Sequence, residues 1–407
     1  MITPVGGGAA GVQNVAGNGQ LAADNGRWES GMARAVVIGA GIGGLTAAVA
    51  LEQNGWTVTV FEQAASIEPV GSGLAIAPNA LRALDTIGVG DDVRKLSAIQ
   101  GEAGIRRPDG RWLSRTSAEE AKQRYGEPTV LLLRSTLVDL LSVRLSPGAL
   151  RLNSRVESVD ADSGRVTTSG GAVDADLVVA ADGIRSEIRK VLFPDHPDPV
   201  YAGVTSWRVV VPATGPVRAS ETWGRGLVFG VMPLADDQVY CYATAVVPAG
   251  QVNGDEKAEL VRLFGGWHEP IPALLAAADP RAVLRHDIYS MDTPLPAFHK
   301  GKVALLGDAA HSMTPHLGQG ACQAIEDAVI LALHAGPAAG GLAAYTEARL
   351  GRTTRIVRRS RAIGRLTLWS SPLAVFARDG AMSLAGKLGP NVAFRQFDEV
   401  FNWRPPV

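Results

Sequence analysis

The chain has little of what marks several large classes of protein. Its 407 residues include two cysteines, Cys241 and Cys322, in unrelated contexts, so neither a disulfide framework nor a thiolate metal site is expected. Lysine and arginine (39) nearly balance aspartate and glutamate (40), and a formal net charge of −1 gives no electrostatic footprint for nucleic acid. No run approaches the roughly 18 consecutive apolar residues of a membrane span, so no integral membrane segment is expected. Met1 to Gly31 lack a cationic start followed by an apolar core, so this stretch is not expected to be a secretory signal. Rich in Gly, Ala, Asn and Gln, this stretch (1–31) is expected to be a disordered extension, with the folded part starting at Met32. What remains is an ordinary globular composition, 46% hydrophobic and 19% charged, that fits a reducing cytoplasm and has the length for two or three domains.

Against that plain background, three short stretches place glycine and a carboxylate where a dinucleotide needs them. The first, Val36-Val-Ile-Gly39-Ala-Gly41-Ile-Gly-Gly44-Leu-Thr-Ala-Ala, passes from an apolar β-type run through a glycine turn into a helical pattern. Gly39 permits the tight turn, Gly41 lets the backbone approach a pyrophosphate, and Gly44 lets the helix lie close to the sheet. The phosphates then sit at the positive helix end. A second β-rich run, Thr57-Val-Thr-Val-Phe61-Glu62, ends in an acid about 20 residues on, placed for ribose hydroxyls.

The second stretch, Asp176-Leu-Val-Val-Ala-Ala-Asp182-Gly183-Ile-Arg185, reads as a buried strand, a turn and a helix start. The third, Lys302-Val-Ala-Leu-Leu-Gly307-Asp308, is another strand, and a loop through Pro315, His316, Gly318 and Gly320 opens a long helix after it. Asp308, at a strand's carboxyl end, is placed to bind a polyol chain. Gly318 and Gly320 let main-chain N–H groups approach a planar ring. Three such stretches in this order point to FAD.

Together these segments resemble the aromatic-ring hydroxylase family, the single-component FAD monooxygenases, over nearly everything from Arg34 to about Arg349. Gly71-Ser-Gly73-Leu-Ala-Ile-Ala-Pro78-Asn79 and Leu133-Arg134-Ser match further family segments. The resemblance implies an α/β fold: a Rossmann-like FAD-binding domain (32–75, 105–197 and 286–345), an inserted antiparallel-sheet substrate domain (76–104 and 198–285) and C-terminal helices (346–407). It also implies roles. Gly39, Gly41 and Gly44 would carry the pyrophosphate, Glu62 the adenosine ribose, Arg134 the phosphate side, Val156 the adenine by its backbone, and Asp308 the ribitol. Pro315, Gly318 and the backbone of Gly320, Ala321 and Cys322 would line the isoalloxazine, and Gly73 would also bind the cofactor. Asp182 is associated in the family with both FAD and nicotinamide-nucleotide binding. The implied activity is hydroxylation or epoxidation of a small aromatic or conjugated substrate with O2 and free NADH or NADPH, through a C4a-hydroperoxyflavin on non-covalent FAD, in a monomer or homodimer. The rival reading is another flavin oxidoreductase on the same fold, a reductase or a halogenase; the Trp-x-Trp-x-Ile motif of the latter is missing. No metal is called for.

Between the second and third stretches, alternating β-rich runs argue an antiparallel sheet. Its Trp207, Phe229, Met232, Tyr240 and Tyr242 are either core or pocket lining. Arg208 is either a flavin-facing arginine, as the resemblance implies, or a solvated sheet residue. His316 is either a base for a phenolic proton or a wall of the pocket. Seven arginines at helical spacing from Arg349 to Arg365 read as a solvated helix packed across the FAD domain. The tail from Ser370 shows no chemistry.

Overall fold

The computed structural model describes residues 32–67, 72–96, 101–336, 341–389, 394–395 and 397–406. The expected disordered extension and Gly71 lie outside these residues. No helix among them is long and apolar enough to cross a membrane.

The near-continuous apolar runs of the three stretches form one sheet. Strand Arg34–Ile38 lies at its centre, paired in parallel with Thr57–Phe61 on one side and with Leu177–Ala180 on the other. Val303–Leu305 extends the sheet in parallel beyond Leu177–Ala180, and Leu150–Arg151 extends it beyond Thr57–Phe61. Strands so apolar on both faces require cover on both. Helices Ile42–Gln53 and Gly320–His334 pack against each other there, and helix Pro78–Thr86 packs on the latter. The carboxyl ends of the three central strands therefore carry the Gly39–Gly44 turn, Asp182–Gly183 and Gly307–Asp308 side by side.

A second sheet has seven strands, in the order Leu284–Ser290, Val200–Pro212, Gln238–Ala245, Leu227–Pro233, Ser220–Trp223, Glu102–Arg106 and Trp112–Ser117. It is antiparallel except where Ser220–Trp223 runs parallel to Glu102–Arg106. One face has its own core, in which Trp207 and Phe229 pack with Phe264 of helix Glu256–Phe264 and with helix Ile271–Ala277. Trp207 is 1% exposed and its indole N–H donates to Glu256 at 2.6 Å; Phe229 is 1% exposed and meets the Phe264 ring at a tilt of 59°. These two expected pocket residues are thus core, because alternation along a strand sends them to the face opposite Arg208 and Tyr242.

The sequence division at 76 and 105 also falls differently here. Helix Pro78–Thr86 belongs to the core of the first sheet, while Glu102–Arg106 and Trp112–Ser117 are edge strands of the second. Apolar residues on one side of that short helix fit the long helix Gly320–His334, and strand pairing claims the hairpin.

The arginine-rich helix Gly341–Thr367 is not simply solvated. Arg349 is 1% exposed and donates to Glu326 at 2.5 Å and to Asp327 at 2.6 Å, both of them fully buried in helix Gly320–His334. Arg352 adds a second contact to Glu326 at 2.7 Å. Arg355 and Arg359 face Glu399, and Arg361 pairs with Asp292, nearer the surface.

Burial alone would push the Asp327 carboxyl up, but His311 and Arg349 pull it down to about 2. A folded-state value below the unfolded one, roughly 3.9, gives stability that is present above that value and lost as pH falls towards 2. Acid titration of unfolding should therefore show a stability loss between about pH 4 and pH 2 that Asp327→Asn lacks. Arg349→Ala should cost roughly 3–5 kcal/mol by urea denaturation, since it leaves two buried carboxylates unpaired.

Candidate cofactor and substrate site

The strand ends and the second sheet enclose one cavity of about 720 Å³. Its walls come from the Gly41–Gly44 turn, strand Gly73–Ile76, the Gly307–Asp308 turn, the Pro315–Ala321 loop and the sheet face bearing Arg208, Met232, Tyr240 and Tyr242. Of the aromatic and sulfur-bearing residues expected in the pocket, the last three are there.

Two helix N-termini open on this space. Helix Ile42–Gln53 starts at Gly41, and helix Gly320–His334 at Gln319, with no side-chain cap and no acid in the first turn of either. Their free N–H groups and partial positive charge make each an anion site. Arg134 stands beside the first, its guanidinium 3.8 Å from where a Cβ on Gly41 would lie. Asp308 follows Gly307, whose φ of +61° makes the turn. It lines the cavity and is exposed there, and desolvation by the surrounding protein raises its carboxyl, against the pull of His311, Arg134 and Arg208. Neither Arg134 nor Asp308 has a side-chain hydrogen-bond partner among the described residues. Two uncapped helix starts, an unpartnered guanidinium and an unpartnered carboxyl suit a pyrophosphate followed by a polyol.

The glycines do different work. Gly39 has φ +101°, and a Cβ there would meet the Ala181 carbonyl oxygen at 2.5 Å. A Cβ on Gly44 would meet the Gly39 carbonyl oxygen at 2.0 Å, so this glycine sets how closely helix and turn approach. One on Gly73 would strike the Tyr240 ring at 2.3 Å. At Gly318 and Gly320 a Cβ would enter open space, and Gly318 has φ +61°.

Of the other expected residues, Glu62, Val156, Asp182 and Cys322 lie outside the cavity wall, whereas His316 is part of it. Glu62 accepts N–H bonds from Ala40 at 2.8 Å and Ala64 at 2.9 Å, tying the end of its strand to the glycine turn. Val156 begins an edge strand of a separate three-stranded sheet. Asp182 accepts from the Ile188 N–H at 3.4 Å, and burial raises its pKa; its neighbours Ala181 and Gly183, not its side chain, reach the cavity. The Cys322 thiol donates to the Ala75 carbonyl, and burial pushes it up to about 12. His316 turns its ring onto Gly364, where a Cβ would lie 2.6 Å away, and has Thr367 Oγ1 at 3.4 Å. Burial lowers its pKa to about 4.

Sequence reasoning missed three groups of residues. Arg189 is buried and donates to the carbonyls of Ala309 and Ile184 at 3.0 and 2.8 Å, locking the second and third stretches together. Phe394, Phe397 and Phe401 of the tail line the cavity, and their spacing along one helical face was the available signal. Asp398, among them, is clamped by Arg124 at 2.6 Å. Glu221 and Trp223 line the cavity from the second sheet.

A family model described as FAD binding domain matches residues 32–360. The chain belongs to the FAD-dependent aromatic-ring hydroxylases. The aurachin C monooxygenase/isomerase of Stigmatella aurantiaca is 39% identical over 362 residues, covering 86% of this chain and 93% of that protein. An FAD-dependent urate hydroxylase of Klebsiella pneumoniae is 33% identical over 308 residues, covering 73% and 80%. The structure of Klebsiella pneumoniae HpxO with FAD and uric acid has a TM-score of 0.83 at 28% identity, covering 91% of this chain and 97% of that one. This hydroxylase is accordingly an FAD enzyme with NADH or NADPH as co-substrate, a monooxygenase acting on a small aromatic or conjugated molecule.

The geometry separates two glycines of the fingerprint. Gly41→Val should fold with a near-normal melting temperature as apoprotein yet fail to retain flavin after gel filtration, because only the ligand's space is filled. Gly44→Val should lose stability with or without FAD, because backbone blocks its side chain.

Proposed function

We propose that this monooxygenase hydroxylates a planar, electron-rich ring, phenolic or N-heteroaromatic, held between the flavin and the second sheet. The observation that carries this is the continuity of the cavity: one space joins the cofactor cradle to an extension walled by Tyr240, Tyr242, Met232, Phe394 and Phe397. Ligand sites of this kind are mostly apolar with a few placed polar groups. FAD, when bound, supplies electron transfer and oxygen activation. Gly41 to Gly44 and Arg134 would hold its phosphates, Asp308 its ribitol, and Pro315 to Ala321 its ring. Enclosure by the sheet and the tail would exclude water from the reacting edge.

Arg208 faces the same space with no hydrogen-bond or ion-pair partner among the described residues, which supports a cofactor-facing or substrate-facing role for it. His316 is better suited to a wall than to a base. With its pKa lowered to about 4, it is neutral at physiological pH and has little affinity for a proton there.

Under ¹⁸O₂, a panel of phenols, N-heteroaromatics and polyenes should yield a ring product carrying one labelled oxygen, with NADH or NADPH consumed only in the presence of the reactive ring. Label absent from every product would remove the reading. His316→Ala should raise KM with less than about a tenfold change in kcat, whereas loss of a general base typically costs ~10²–10⁴. A fall in kcat of that larger size would return His316 to the role of base.

A further inference from the structure

One cross-strand row of the second sheet faces the cavity and has a polar feature that the cofactor cradle leaves unused. Arg208 pairs with Tyr242, Tyr242 with Gly230, Gly230 with Glu221, and Glu221 with Ile105. A Cβ on Gly230 would lie 2.1 Å from the Tyr242 ring. The missing side chain is therefore what lets Tyr242 lie across its own neighbour and reach Glu221, to which its hydroxyl donates. The other Glu221 oxygen accepts the Trp223 indole N–H at 2.9 Å. Burial and the nearby carboxylate both push the Tyr242 pKa well up, so the phenol remains a donor.

The electrostatic outcome is specific. A carboxylate offers roughly four acceptor sites, and two protein donors use part of them. Tyr242 and Trp223 have spent their own hydrogens on Glu221. Glu221, Tyr242 and Trp223 all line the cavity, so this end of it presents acceptor capacity and negative charge, while Arg208 stands further along the same row. A ring with an N–H or O–H on its edge gains a charge-assisted bond here. A ring carrying a carboxylate is repelled.

We infer that Glu221 selects and orients the substrate by accepting a hydrogen bond from a ring N–H or O–H, with Tyr242 and Trp223 as its positioning residues. The inference rests on the reading of the cavity as the site of an aromatic substrate and specifies which aromatic molecules enter it: lactam-type N-heteroaromatics and phenols, not aromatic acids.

The test uses FAD-loaded enzyme and flavin difference spectra to measure Kd for two matched sets. These are 4(1H)-quinolone, N-methyl-4-quinolone and quinoline-4-carboxylate, and phenol, anisole and benzoate. Wild type should bind the N–H or O–H member of at least one set roughly 10–100-fold more tightly than its methylated and carboxylate partners. Glu221→Gln should remove or reverse that order. Its amide would give its oxygen to Trp223, which cannot accept, and so turn donor hydrogens towards the cavity. Glu221→Leu separates sterics from hydrogen bonding, because a preference that merely reflects room for a methyl group would survive it. Equal wild-type affinity within both sets, or an unchanged preference in Glu221→Gln or Glu221→Leu, overturns the inference even if a ring is oxidised. No binding and no ring oxidation anywhere in the panel would overturn the aromatic-substrate reading beneath it. Retained flavin absorbance and melting temperature in both variants establish that the comparison is made on folded holoenzyme.

Discussion

Much of this molecule depends on a buried cluster of charges behind the cofactor cradle. Asp327 accepts the Gly307 N–H at 3.0 Å, the His311 ring at 2.5 Å and Arg349 at 2.6 Å. It thereby fixes the turn that carries Asp308, the short helix Asp308–His311 and the long C-terminal helix to one point. Glu326, its neighbour, takes Asn79 at 2.6 Å as well as Arg349 and Arg352, which brings helix Pro78–Thr86 to the same knot. Ions so deeply buried are weak contributors to net stability, since desolvation consumes most of their attraction. Their value here is geometric, because each group has a single arrangement that satisfies it, and three segments distant in sequence must meet in that arrangement.

The cradle was largely legible in the sequence because its determinants are local. Gly39 and Gly44 act through backbone within a few residues, and apolar runs announce the strands that carry them. The N-terminal ends of two helices follow from the same reading. Residues whose function depends on the second sheet were less accessible. Trp207 and Arg208 are adjacent in sequence yet face opposite ways, and only the register decides which face meets the cavity. Arg349 looked like one member of a solvated arginine series because spacing along a helix does not reveal what lies opposite. Glu221 had no motif around it at all; its importance comes from Gly230 and Tyr242, which pairing places beside it.

The two halves of the cavity differ in electrical character. At the cradle stand two positive helix ends and the Arg134 guanidinium, with the Asp308 carboxyl set apart from them. Under the sheet the surface is aromatic, with Arg208 and Glu221 at separate points of one row. The cavity thus offers charge at one side and flat apolar shape at the other. A ring entering beneath the sheet meets mostly apolar wall, where each hydrogen bond counts for more than it would in water.

The tail gives the cavity a temporal property. Phe394, Phe397 and Phe401 contribute to the cavity wall, and the Arg124–Asp398 pair, together with Arg82 bonds to the carbonyls of Phe401 and Trp403, secures the tail there. The nucleotide sheet itself draws on residues 34 to 305, and domains fold as they leave the ribosome. A nascent chain can therefore assemble its sheets, but it has no finished pocket until residues 394–401 have emerged. Pairing of the nucleotide sheet's strands can thus precede, along the chain, completion of the cavity wall.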